Sequence, residues 1–128
     1  MQLGAFSLSL SVADLAVSTA FYERLGFEIV GGNADEGWLI LRCEATMIGL
    51  FCGIFEGNHI LTFNPGWQQE GVAVEGSFTD VRDIHRVVAD AGVDTIESAG
   101  LDGDGPAHFV IEDPDGNHIM FDQFVDRP

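Results

Sequence analysis

A chain of 128 residues, 46% of them hydrophobic, has the length of one domain, or of two half-size modules sharing a core, and ample apolar content to bury. Its 21 carboxylates against five arginines and no lysine leave a net charge of −16, which repels phosphate backbones and anionic lipid, so neither nucleic acid nor a membrane is an expected partner. A run of about 18 apolar residues and a basic, cleavable leader are both missing, and a soluble cytoplasmic protein is expected.

Residues 6 to 12 alternate strictly, Leu8, Leu10 and Val12 on one face and Ser7, Ser9 and Ser11 on the other, which predicts a strand. Asp14 then caps a helical stripe of Leu15, Ser18, Phe21, Tyr22 and Leu25 that Gly26 ends. Phe27 to Val30, Trp38 to Leu41 and Met47 to Phe51 follow as strands, the last two joined by a hairpin. Cys43 and Cys52 form no Cys-x-x-Cys pair and read as free thiols. Asn58 to Phe63 reads as a short strand, and Asn64-Pro65-Gly66-Trp67 as a turn with proline second and glycine third.

The Val12-Ala-Asp14-Leu15 string then recurs 66 positions on as Phe78-Thr-Asp80-Val81, and its helix stops at Gly92 as the first stops at Gly26. By that offset Val72 to Thr79 is a strand, Asp80 a cap, and Val81, Ile84, Val88 and Ala91 a helical stripe. Val93 to Glu97, His108 to Glu112 and Asn117 to Phe124 complete the copy, with Asp113-Pro-Asp-Gly-Asn117 as a tight turn. The expected fold is α+β: two βαβββ modules, about residues 5–56 and 70–125, joined by a linker at about 57–69.

This layout, with Val12-x-Asp14-Leu15, Phe21-Tyr22, Leu25-Gly26-Phe27 and the Asp113-Pro114-Asp115-Gly116-Asn117 turn, resembles the vicinal oxygen chelate superfamily of glyoxalase I, extradiol dioxygenases, and fosfomycin and bleomycin resistance proteins. The Phe63-to-Trp67 linker resembles that of a bacterial subgroup. The resemblance implies curled sheets with helices on their outer faces, enclosing a ligand in a cup, often in a homodimer. It also implies divalent-metal ligands at four positions, which here hold Ser7, Ala73, Met120 and Gly49, or Leu50 if the hairpin differs by one residue. None offers an imidazole or a carboxylate, so no metal and no other cofactor is expected.

His118, Met120 and Asp122 share a strand face, and Glu75 shares one with Ala73 and Ser77, so His118, Glu75 and Asp122 are candidates for a shifted metal site or a metal-free acid/base set. His118 and Asp122 stand roughly 13 Å apart along one strand, too far for one ion. Asp113 to Asn117 starts like a calcium loop but has Phe124 at the twelfth position, and the glycine-rich Gly100 to Gly105 loop carries two aspartates, so it reads as a flexible connection or a lid. His85 is expected to face solvent. Ser7, Ser9, Trp38, Phe51, Trp67, His108 and Met120 are the expected lining of a cup for a small, largely apolar molecule. The reading is a homodimeric small-molecule-binding protein of this superfamily, the alternative a lyase or dioxygenase.

Overall fold

The computed structural model describes every residue except Glu56 and Asn58. It divides into two compact units, one of Ser7–Ile60 and one of Met1–Phe6 with Leu61–Pro128.

In the unit of Ser7–Ile60, strand β1 (Ala5–Ser11) leads to helix α1 (Leu15–Glu23), followed by β2 (Glu28–Asn33), β3 (Trp38–Cys43) and β4 (Thr46–Phe51). The strand order is β2-β3-β4-β1, a mixed sheet in which β1 runs parallel to β4 while β3 is antiparallel to β2 and β4. Asp14 forms the α1 N-cap, its Oδ1 accepting the Val17 N–H at 3.1 Å, and Gly26 adopts φ +101° beyond the helix end. Strand alternation sends Leu39, Leu41, Ile48 and Leu50 into one core, against which Leu10, Leu15, Tyr22 and Phe27 pack. The helix therefore covers that face; the opposite face, bearing Ser9, Gly49 and Ile40, carries no helix, although Ser9 and Gly49 are buried and Ile40 half-buried.

The other unit repeats the plan with β5 (His59–Asn64), α2 (Val81–Asp90), β6 (Glu97–Ala99), β7 (Ala107–Glu112) and β8 (His118–Gln123), in the order β5-β8-β7-β6. Its core holds Val81 and Ile84 of α2 against Ala107, Phe109 and Phe121, with Phe63 packed alongside. The α2 cap is tied into the sheet. Asp80 Oδ1 accepts the Arg82 N–H at 2.9 Å, while fully buried Gln123 accepts the Val81 N–H at 2.8 Å and donates to Asp80 Oδ2 at 3.2 Å.

One expected strand is not there. Residues 72–79 hold only an isolated bridge, Trp67 to Ala73, and a turn in which Gln68 N–H donates to Val72 and Val74 N–H to Gly66. The place beside β8 belongs to β5, which the sequence put in the linker. Physically, residues 72–79 alternate but are broken by Gly76 at φ +89° and flanked by Gly71 at +87°, whereas β5 carries an uninterrupted Ile-Leu-Thr-Phe run. The Asn64–Trp67 turn forms as expected, with Trp67 N–H donating to Asn64 O at 3.1 Å and Gly66 at φ +79°.

Candidate functional site

On the face of β1, β3 and β4 away from α1 the register aligns Ser9 with Gly49 and Ile40, and Ser11 with Phe51 and Trp38. Of Gly49 and Leu50, Leu50 is fully buried in the helix-covered core and Gly49 lies on the opposite face. A Cβ on Gly49 would come within 2.5 Å of the Phe51 ring, so only glycine lets that ring lie across the strand. Trp38 stacks parallel to Phe51 with centroids 6.0 Å apart, and Phe55 tilts against Phe51 at 5.6 Å. The Trp38 Nε1–H donates to Glu36 Oε2 at 3.3 Å. The result is a half-buried aromatic patch on a strip of small residues. The sequence reading did not single out Phe55, whose place in a bend has no periodicity to reveal it.

On the face of β6, β7 and β8 away from α2, His108 lies directly across from Asp122 on one side and Ala99 on the other, and the buried Val110 lies between Glu97 and Met120. His108 Nε2 is 3.3 Å from Glu97 Oε1. Burial pushes the Asp122 carboxyl above the ordinary carboxylate range, and the neighbouring His108 charge offsets part of that rise. His118 pairs across the strands with Glu112, at the far end from Asp122. Glu75 is exposed in the segment that forms no strand, so the shared face that was to align it with Ala73 and Ser77 does not exist. The expected set of His118, Glu75 and Asp122 is thus replaced, as a spatial cluster, by Glu97, His108 and Asp122. Glu97 escaped notice because its nearness to His108 depends on the β6–β7 register.

The other singled-out residues fall as follows. Ser7 is half-buried on β1, and Trp67 packs edge-on against Phe124 at 5.7 Å. His85, expected in solvent, is part-buried, with Nε2 2.9 Å from Thr95 Oγ1 and its ring edge-on to Phe109. The Gly100 to Gly105 loop is not a free lid: Arg82 Nη2 donates to both Gly100 O at 3.0 Å and Gly105 O at 2.6 Å. Asp113 is saturated by the backbone N–H groups of Asp115 and Asn117 and the Asn117 amide, which hold its carboxyl below the usual range. On the helix side, an open cleft of about 400 Å³ is lined by Leu15, Ala16, Thr19, Ala34 and Leu39, and the Thr19 hydroxyl is already donated to Leu15 O.

The sequence profile of the glyoxalase/bleomycin resistance protein/dioxygenase superfamily matches residues 4–121. The chain belongs to this superfamily. Solved structures similar to it include a superfamily member from Vibrio splendidus 12B01, 20% identical, covering 92% of this chain and 97% of that one with a TM-score of 0.63. Methylmalonyl-CoA epimerase from Mycobacterium tuberculosis is 20% identical over 98% of this chain and 91% of its own, with a TM-score of 0.68. An extradiol ring-cleaving dioxygenase from B. fuscum is 19% identical over all of this chain and 33% of its own, with a TM-score of 0.59. At such identities these likenesses establish the glyoxalase-like α+β fold. No curated protein matches the chain.

For this superfamily member the side chains at the implied metal positions can now be placed. Ser7 and Gly49 lie on β1 and β4, and Met120 lies on the face of β8 away from α2. Ala73 lies outside any strand, and β5, which stands in its place, turns Phe63 to the core and hence Thr62 and Asn64 to the opposite face, where both are buried. Hydroxyl, amide and thioether groups do not make the donor set that a zinc, manganese or iron ion takes. Among the described residues no three His, Cys, Asp or Glu side chains are grouped to hold a metal ion. None of the described helices is long and apolar enough to cross a membrane.

Proposed function

We propose that this member of the superfamily binds a small, largely apolar organic molecule on the helix-free face of its sheet, without the usual divalent ion. The observation that carries the reading is the half-buried apolar patch of Trp38, Phe51 and Phe55 over Gly49, in which the Trp38 and Phe51 rings lie parallel and Phe55 is tilted against them. Such a surface suits a planar guest, since stacked aromatic contacts add about 0.5–1.5 kcal/mol beyond burial. The lack of an ion follows from the serine, glycine, threonine or asparagine, and methionine at the positions where donors are needed.

The protein purified without chelator is expected to carry no stoichiometric Mn, Fe, Ni or Zn by elemental analysis, and to gain no thermal stability from any of them. One bound transition metal per chain sinks the reading. Calorimetric titration with quinoline is expected to show binding that Phe51→Ala weakens about tenfold.

A cytoplasmic homodimer is part of the same proposal. It is supported by Val17 and Phe21 on the outward side of α1 and Leu25 just beyond its end, all of them exposed. Light scattering on the purified chain that gives a monomer mass at micromolar concentration removes the dimer.

A further inference from the structure

We infer that the outward face of α1 packs antiparallel, about a two-fold axis, against the same helix of a second copy of this chain. Val17 and Phe21 of one copy meet Phe21 and Val17 of the other, and Asp14 pairs with Arg24 at each end. The pairing rests on the dimer proposed above and names the surface that forms it.

The composition of α1 points there first. One residue in five of the chain is charged and the net charge is −16, yet Leu15 to Tyr22 carry no charged side chain. The other helix, α2, carries Arg82, Asp83, Arg86 and Asp90. A helix that is apolar all round belongs in an interior, but α1 covers its sheet with one side only. Its other side leaves Val17 66%, Phe21 48% and, past the helix end, Leu25 60% exposed, with the small Ala13, Ala16 and Ala20 exposed around them. Two molecules of charge −16 repel each other, and a stretch without carboxylates is where they touch at the least cost.

The residues along this face then select the partner and its direction. Asp14, Val17, Phe21 and Arg24 follow at intervals of three, four and three, the spacing of a helix seam. The order is acid, apolar, apolar, base. Rotation about a two-fold axis perpendicular to the helix therefore sets each acid against a base and each apolar side chain against another, so the face is complementary to itself. A parallel pairing would set Asp14 against Asp14 and Arg24 against Arg24. Both end groups are available: Asp14 is exposed and gives only Oδ1 to the cap, accepting the Val17 N–H at 3.1 Å. Arg24 is exposed and forms no ion pair among the described residues, and its guanidinium carbon lies 5.4 Å from the centre of the Phe21 ring, which holds the charge beside the apolar pair.

Carbodiimide cross-linking of Arg24→Lys tests the geometry, because the chain has no lysine of its own and the reagent joins an amine to a carboxylate without a spacer. At about 1.5 Å of rise per residue, Asp14 and position 24 of one helix stand roughly 15 Å apart, so an amide between them forms only across two copies. The covalent dimer is expected to yield that linked peptide pair by mass spectrometry. In sedimentation equilibrium at micromolar concentration the unsubstituted chain is expected to be a dimer, and Arg24→Glu to raise its dissociation constant at least about tenfold. Adding Asp14→Asn to Arg24→Glu keeps a capping side chain and removes the new like-charge contact, so it is expected to recover part of the loss. Phe21→Glu is expected to be a monomer, with circular dichroism confirming its fold. A monomeric unsubstituted chain overturns the pairing together with the dimer. A dimer that Phe21→Glu and Arg24→Glu both leave intact, or a covalent dimer without the link from position 24 to Asp14, overturns the pairing and leaves the dimer standing.

Discussion

Asp80 and Asp122 are both removed from bulk water, and their carboxyls move in opposite directions. At Asp80 burial alone would raise the pKa, but the Arg82 N–H, the Gln123 amide and the Arg82 guanidinium outweigh it and lower the value. A lowered carboxyl binds its proton less readily folded than unfolded, so the stability it contributes is present above pH about 3.8 and is lost as the pH falls through its folded value. Asp122 is raised, so ionising it costs stability once the pH passes the ordinary aspartate value, and the cost persists at neutrality. Asp122→Asn is therefore expected to stabilise the protein at pH 7 and to leave it unchanged near pH 3, as read by urea denaturation at both pH values. Equal midpoint shifts at the two pH values would show that ionisation is not the cause. Arg82 is the other decisive residue. Its guanidinium bridges Asp80 and two carbonyls of the Gly100 to Gly105 loop, and it is itself 7% exposed. Arg82→Met strands the buried Asp80 carboxylate and is expected to cost about 3–5 kcal/mol; a cost below about 1 kcal/mol in the same denaturation assay would mean that the loop does not need its clasp.

At the scale of elements, the two helices were legible because each carries its own punctuation, an aspartate at the start and a glycine at the end, and these signals are local. Strands were legible where alternation coincided with burial, as in β1, β3 and β7. The failure at residues 72–79 came from carrying one offset through the whole repeat. In the first copy β1 is followed almost at once by α1, but in the second, residues 65–80 intervene between β5 and α2. A strand is defined by a partner far along the chain, and two alternating segments competed for the edge of β8; the local difference, Gly76 inside 72–79 against the unbroken Ile-Leu-Thr-Phe of β5, was overridden by the repeat offset. The same limit hid Glu97, while Ser7 and Met120 could be read off their distances to Asp14 and Gly116, and the first-half counterpart of Met120 only as Gly49 or Leu50. Phe109 is fully buried, with Phe121 stacked at 4.7 Å and the His85 ring edge-on. Phe109→Ala is expected to cost about 3–5 kcal/mol and to loosen α2 from its sheet, visible as faster amide exchange in Val81–Asp90 than in Leu15–Glu23. Equal acceleration in both helices would contradict the two-core division.

For the molecule as a whole, charge is the dominant quantity. Three of the five arginines, Arg82, Arg86 and Arg127, lie against Asp80, Asp83 and Asp104, and Arg24 sits over the Phe21 ring. The remaining carboxylates repel one another through a field that salt shortens from about 30 Å at 0.01 M to about 3 Å at 1 M. Melting temperature is accordingly expected to climb with sodium chloride over that range and to climb equally with potassium chloride, since screening does not distinguish the two. A flat response would assign the acidity no role in stability.

The N-terminal segment Met1–Phe6 belongs with residues far downstream: Gln2 N–H donates to Thr79, Ala5 N–H to Trp67 O, and Phe6 exchanges two hydrogen bonds with the Gln69 side chain. Gly4 lies so close to the Asn64 carbonyl that a Cβ would reach 1.8 Å from its oxygen. During synthesis these first residues emerge well before any of their partners has been made, and they must stay unpaired while the whole of Ser7–Ile60 is translated. The second unit is thus completed by a segment that precedes the whole of the first unit along the chain, a long-range pairing whose loop-closure entropy must be met before its contacts form.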